Sequence, residues 1–172
     1  NPAYFDALRT ACLTLRERGF IVHLQLWQAV SWKKQWDIHY YNPKNNVNPE
    51  LSKNAGPGEF MNLNNKALLA HQKEYVRALL EATGDLGNVF YDIANELGNG
   101  TDSELYWVLE ILAEIRQWED ETGHTALVTI NDEGGRRVEG IEQVFQAVDV
   151  VIKDLGRFDE HVQARAQFNK PT

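Results

Sequence analysis

The stretch Phe90-Tyr91-Asp92-Ile93-Ala94-Asn95-Glu96-Leu97 holds the residues best suited to chemistry in this sequence. It reads as a buried strand with Asn95 and Glu96 at its carboxyl end. Burial at such a place disfavours the charged form of a carboxyl group and raises its pKa, as a general acid at neutral pH requires. Asn95 offers an amide donor and acceptor suited to a sugar hydroxyl. Residue types alone leave a plainer reading open, in which Glu96 caps the next helix or pairs with a surface base.

Other carboxylates compete for attention. Asp132 and Glu133 follow a third strand, where loop support or substrate binding fits them better than reaction. Asp154 beside Lys153 fits a local ion pair. Aromatic residues cluster ahead of the second strand: Trp27, Trp32, Trp36, Tyr40 and Tyr41. Aromatic faces suit the apolar C–H edges of sugar rings, so Trp27, Trp32 and Trp36 are candidate substrate contacts. The same rings could simply pin the loop down. Asn45, Asn46, Asn54 and Asn62 could bind hydroxyls, although asparagine is also an ordinary turn residue. His39 and His71 show no readable role.

The elements that must position these groups alternate. A helix opens the chain, with Asn1 as cap, Pro2 in the first turn and Gly19 at the end. Its apolar stripe runs through Phe5, Leu8, Cys12 and Leu15. A strand follows at about 20–27. The segment from Gln28 to Leu63 has turn chemistry and no sustained period, which is long for a connection. A second helix covers about 65–82 and a second strand about 88–95. Thr101 and Glu104 form a possible capping box for a third helix. Strands at about 125–131 and 148–154 enclose a helix at about 138–147, and a last helix spans about 158–168. Lys170-Pro171-Thr172 reads as the approach to another strand.

This order calls for a parallel sheet covered by helices in a single domain, 1–172. No glycine-rich phosphate turn follows any strand, which disfavours a doubly wound nucleotide-binding sheet. Within the first strand, Phe20, Val22, Leu24 and Leu26 form one face, and Ile21, His23, Gln25 and Trp27 the other. A barrel strand can turn polar residues inward near its carboxyl end. Asp92 with Glu96, Thr129 with Asn131, and Lys153 fit that scheme. A typical (β/α)8 barrel needs about 250 residues. The four strands here are therefore expected to form part of a TIM barrel.

The stretch FYDIANE resembles the fourth-strand motif of the large clan of retaining (β/α)8 glycosidases that includes cellulases and mannanases. The specific likeness covers about eight residues; the likeness in element order covers the chain. It implies that Glu96 is the catalytic acid/base and that Asn95 binds the 2-hydroxyl of the sugar being cleaved. Asp92 would support the site from below, and Asn131 would contact substrate. The strands would be the third to sixth of the barrel. The nucleophilic Glu of such enzymes ends the seventh strand, so it is expected beyond Thr172. The implied substrate is a β-linked oligo- or polysaccharide, with no cofactor and no metal, and the implied location is secreted or periplasmic. The sixth-strand end, Lys153-Asp154-Leu155-Gly156-Arg157, departs from the histidine or aromatic residue of many cellulases. A non-catalytic carbohydrate-binding barrel is the alternative.

Composition narrows the classes further. Of the 172 residues, 43% are apolar, an ordinary fraction for a globular domain. Net charge is -8, without a basic cluster, which disfavours nucleic acid as a partner. No apolar run approaches the ~20 residues of a membrane-spanning helix. The start, Asn1-Pro2, does not resemble a basic export signal, and the absence of an initiator Met leaves room for residues ahead of it. The single cysteine, Cys12, excludes an internal disulfide and fits a buried thiol. No HExxH or CxxC occurs, and the five histidines lack zinc-site spacing.

Overall fold

The computed structural model describes residues 1–48, 51, 56–97, 102–133, 141–154 and 158–171. Helix α1 spans Pro2–Glu17, and the Asn1 side chain accepts from Ala3 N at 3.1 Å. Gly19, at φ +77°, ends the turn that follows, a conformation glycine adopts without a Cβ clash. Strand β1 is Val22–Gln25, shorter at both ends than the sequence pattern suggests. Helix α2 follows at Ala29–Lys33, then 3-10 turns at Trp36–Ile38 and Pro57–Glu59. These short pieces fit the turn chemistry of the segment, the second 3-10 turn falling on Gly56-Pro57-Gly58.

Helix α3 is Lys66–Thr83, capped by the Asn65 side chain. Strand β2 is Val89–Asp92, and helix α4 is Asp102–Thr122. The proposed capping residue Thr101 lies outside the described residues. Strand β3 is Leu127–Glu133, helix α5 Ile141–Ala147, strand β4 Val150–Asp154 and helix α6 Phe158–Phe168. The last carbonyl contact continues the pattern: Val151 N donates to Pro171 O at 3.0 Å, so the chain returns alongside β4.

The protein is a mixed α/β structure with a four-stranded, all-parallel sheet in the order β1-β2-β3-β4. Helices α1 and α3, α3 and α4, and α4 and α5 pack against one another in sequence. A doubly wound sheet reverses its strand order at a switch point. Among the described strands there is no such reversal.

Register defines two unlike faces, because side chains alternate along each strand. Val22 aligns with Val89, Tyr91 with Val128, and Ile130 with Val151. That face is apolar and packs under the helices, with Val128, Ile130 and Val151 fully buried. Tyr91 Oη lies 2.8 Å from Thr83 Oγ1 of α3, which satisfies both hydroxyls inside the core. The opposite face carries His23, Gln25, Phe90, Asp92, Leu127 and Thr129. His23, Gln25 and Leu127 of that face are exposed.

The helical layer is tied by packing first and ion pairs second. Trp107 of α4 is buried against Trp27 and Phe60, with ring centroids 5.1 and 5.8 Å away. Its Nε1 donates to Gln72 Oε1 at 2.9 Å, and Gln72 Nε2 donates to Phe60 O at 2.8 Å. Lys73–Glu110 and the partly buried Arg77–Glu114 link α3 to α4. Surface pairs such as Lys73–Glu110 contribute little, about 0–1 kcal/mol. Cys12 is buried, as expected, and burial pushes its thiol pKa up.

Candidate functional site

Parallel strands put all their carboxyl ends on one edge of the sheet. The β1–β2 ladder extends past the strands proper, because Asn95 N donates to Trp27 O and Ala29 N to Asn95 O, both at 3.0 Å. Gln28 and Asn95 are thereby held as a parallel bridge. On the other side, Leu97 N reaches Asn131 O at 3.4 Å. Asn95 is fixed from both neighbours and lies buried at the centre of this edge.

Two of the sequence candidates meet directly. Asn131 Nδ2 donates to Asn95 Oδ1 at 2.6 Å, and both residues are buried. Asn131 Oδ1 is buried with no partner among the described residues. Such groups are rare in folded proteins and mark places where a ligand or solvent is expected to complete the bonding.

Glu96 follows at φ +54° and is half-buried. This left-handed conformation is unusual for a residue with a Cβ and costs roughly 1–3 kcal/mol. It takes the chain out of the ladder right after Asn95, so the plain alternation of a strand ends there. Strain of this sort clusters at functional positions.

Beneath this edge lies a pair that sequence reading missed. Asp92 is fully buried, and its Oδ2 sits 3.2 Å from His23 Nε2. The His23 ring stacks on Phe90 at 4.5 Å. Asp92 Oδ1 has no hydrogen-bond partner among the described residues, although the backbone amides of Asn131 and Ala94 lie near enough to favour its charge. Alternation had placed His23 on the polar face, but only the strand register brings it beside Asp92.

Burial pushes the Asp92 carboxyl up to about 6, and His23 holds it from rising further. An acid with a folded pKa above its unfolded value of about 3.9 binds more protons when folded. Its contribution to stability is therefore complete at low pH and is lost as pH rises from about 4 to about 6. Asp92→Asn should remove that decline. Denaturant midpoints at pH 4 and pH 7 should then differ less than in the parent, with a gain on the order of 2 kcal/mol at pH 7. An unchanged pH profile would show that His23 already compensates the buried charge.

The aromatic candidates are placed differently. Trp32 is 1% exposed and stacks on Phe60 with centroids 4.4 Å apart. Trp27 is buried among Phe60, Tyr75 and Trp107. Trp36 is half-buried and stacks on His39. These three rings therefore hold the loop against the helices in this structure, and Tyr40 is the ring of the cluster that stands largely open, at 54% exposed. His39 acts as a spacer in that stack; burial lowers its pKa to about 4.

The asparagines organise turns. Asn45 Nδ2 donates to the carbonyls of Asp37 and His39, and Asn46 Oδ1 accepts from Asn48 N. Asn62 donates to Glu59 and accepts from Asn64 N. Asn54 and the segment 155–157 lie outside the described residues. Asp132, Glu133, Lys153 and Asp154 occupy the carboxyl ends of β3 and β4, with their side chains outside the description. Among the described residues no group of three or more His, Cys, Asp or Glu side chains could hold a metal ion, and no helix is long and apolar enough to cross a membrane.

The class defined by this arrangement is a parallel α/β structure with a polar site at the carboxyl edge of its sheet. No protein-family model, curated protein or solved structure matches the chain.

Proposed function

We propose that the chain is the central part of a (β/α)8-barrel glycoside hydrolase that retains configuration at a β-linked glycan. In this reading β1 to β4 are consecutive barrel strands. Sequential strand order supports it, as does a sheet with helices packed on one face and polar groups on the other. A barrel needs that asymmetry, because the inner face lines the interior and the carboxyl edge carries the site.

The observation that carries the chemical part is the Asn131–Asn95–Glu96 arrangement. A buried amide pair stands beside a half-buried carboxyl at the end of a central strand. Glu96 serves as general acid towards the leaving oxygen, then as base towards water. Asn95, oriented by Asn131, binds the sugar hydroxyl next to the anomeric carbon. The nucleophile is a Glu on the strand that follows Pro171.

The test is a structure of the intact protein. Retention requires a second carboxyl roughly 5–5.5 Å from Glu96. The expected result is a Glu within about ten residues after Thr172, at that separation. A gap of about 8 Å would indicate inversion. An apolar residue at the strand end would leave a binding barrel without catalysis.

A further inference from the structure

The acid–base pair beneath the carboxyl edge is linked to the amide pair above it through the main chain. Asp92 is fully buried, and its Oδ2 meets His23 Nε2 at 3.2 Å. The other oxygen, Oδ1, has no hydrogen-bond partner among the described residues. The backbone amides of Ala94 and Asn131 approach the same carboxyl. Ala94 precedes Asn95, and the Asn131 side chain donates to Asn95 at 2.6 Å. Both halves of the amide pair therefore start from main chain that faces Asp92.

What the carboxyl does depends on its proton. When it is ionised, both oxygens accept only, so His23 Nε2 carries the hydrogen and the two amides face a negative charge. Bonds to a charged acceptor are the stronger kind. When it is protonated, the group becomes a donor that needs an acceptor, and its hold on both amides weakens. A carboxylate at this depth is costly without a partner. Among the described residues His23 is the ionisable group in contact with it. The neighbours aligned with Asp92 in the ladders, Gln25 of β1 and Thr129 of β3, carry no charge, and neither does Asn131. On β2 itself Phe90 is apolar, and Glu96 stands past the left-handed bend. The Phe90 ring lies flat on His23, with centroids 4.5 Å apart and 15° between planes, which fixes the imidazole towards Asp92.

We infer that His23 is a positioning residue: by keeping Asp92 ionised it holds the Ala94 and Asn131 amides, so that the Asn95–Asn131 pair is set before any ligand arrives. The edge is organised while Asp92 is ionised and loosens when it takes up a proton. Contacts made through Asn95 then weaken in acid, whatever the ligand. This goes beyond the function proposed above, because it needs no reaction at Glu96 and no particular substrate.

Side-chain amide exchange in the intact, ligand-free protein tests the inference. Asparagine is isotopically labelled, and the Asn131 Nδ2 signal is assigned by its loss in Asn131→Ser. Its protection, corrected for the intrinsic pH dependence of exchange, is followed from mildly acidic to mildly alkaline pH. Burial pushes the Asp92 carboxyl up to about 6, so protection should fall about tenfold below that pH, the scale of one lost hydrogen bond. Asp92→Asn should abolish the step. His23→Leu should move it to higher pH by roughly one unit or more, the ordinary effect of losing a facing partner. His23→Gln, which restores a donor, should place it between the parent and His23→Leu, and serves alone if the leucine variant does not fold. Constant protection in the parent would overturn the inference even if the signal's position titrates, because a field alone moves a signal without loosening a bond. So would a step that persists in Asp92→Asn, or one that keeps its midpoint in a folded His23 variant. No turnover is measured, so failure of the glycosidase reading and failure of this one are scored apart.

Discussion

Glu96→Gln in the intact protein should lower hydrolysis of a natural β-glycan by about 10²–10⁴-fold, the usual worth of general acid–base catalysis. The substitution keeps the shape of the side chain and removes its transferable proton. A dinitrophenyl glycoside tests the assignment further, because its leaving group departs with little protonation. Glycosylation of the nucleophile should be largely spared on that substrate. Deglycosylation should still slow, since Glu96 must act as base towards water. The covalent intermediate then accumulates, and the phenol appears as a burst. Azide needs no base and should speed turnover of the stalled intermediate. Equal losses on both substrates, with no burst and no azide effect, would make Glu96 a structural residue held at a strained φ for other reasons.

Trp107→Ala should produce the largest loss of stability of any single change considered. Truncating a buried Trp costs about 3–5 kcal/mol through lost burial and the cavity left behind. Trp107 also satisfies the buried Gln72 carbonyl, and stranding that acceptor adds about 1–3 kcal/mol. Local collapse offsets part of the sum, so a loss of about 4 kcal/mol in denaturant unfolding is expected. Trp107→Phe separates the two causes, because it keeps most of the ring and discards the hydrogen bond. It should cost about 1–3 kcal/mol. A loss below about 1 kcal/mol for the alanine variant would mean that α4 is not docked as described.

Much of this architecture is readable from local chemistry. Asn1, Pro2 and Gly19 mark the limits of α1, and Asn65 marks the start of α3, because caps and breakers act within one turn. Alternation in β1 correctly separates Val22 and Leu24 from His23 and Gln25. Asn95 and Glu96 do fall at the carboxyl end of β2. What escaped are properties of pairing between distant strands. The His23–Asp92 contact depends on the β1–β2 register, which no run within either strand encodes. The left-handed turn at Glu96 is imposed by its surroundings, since Glu has no preference for it. The packing of the aromatic cluster is hard to read from sequence for a related reason. A Trp in a loop of no fixed period has no face to predict, and Trp32 became core only because Phe60 folds back onto it.

The consecutive strand order bears on how the chain can be made. Val22 must wait for Val89 to be synthesised before β1 finds its partner, whereas Phe90 needs only Leu127, and Thr129 only Val150. The entropy of closing each span grows with its length, though slowly. The first closure is thus the hardest, and every later unit docks onto a neighbour already in place. A chain emerging from the ribosome amino end first can add units in the order they appear, as vectorial folding favours. Its growing edge is then always the newest strand. Until that edge is covered, its unpaired backbone groups can template pairing with another chain. This protein therefore should depend on chaperone shelter most while its last units are still being translated.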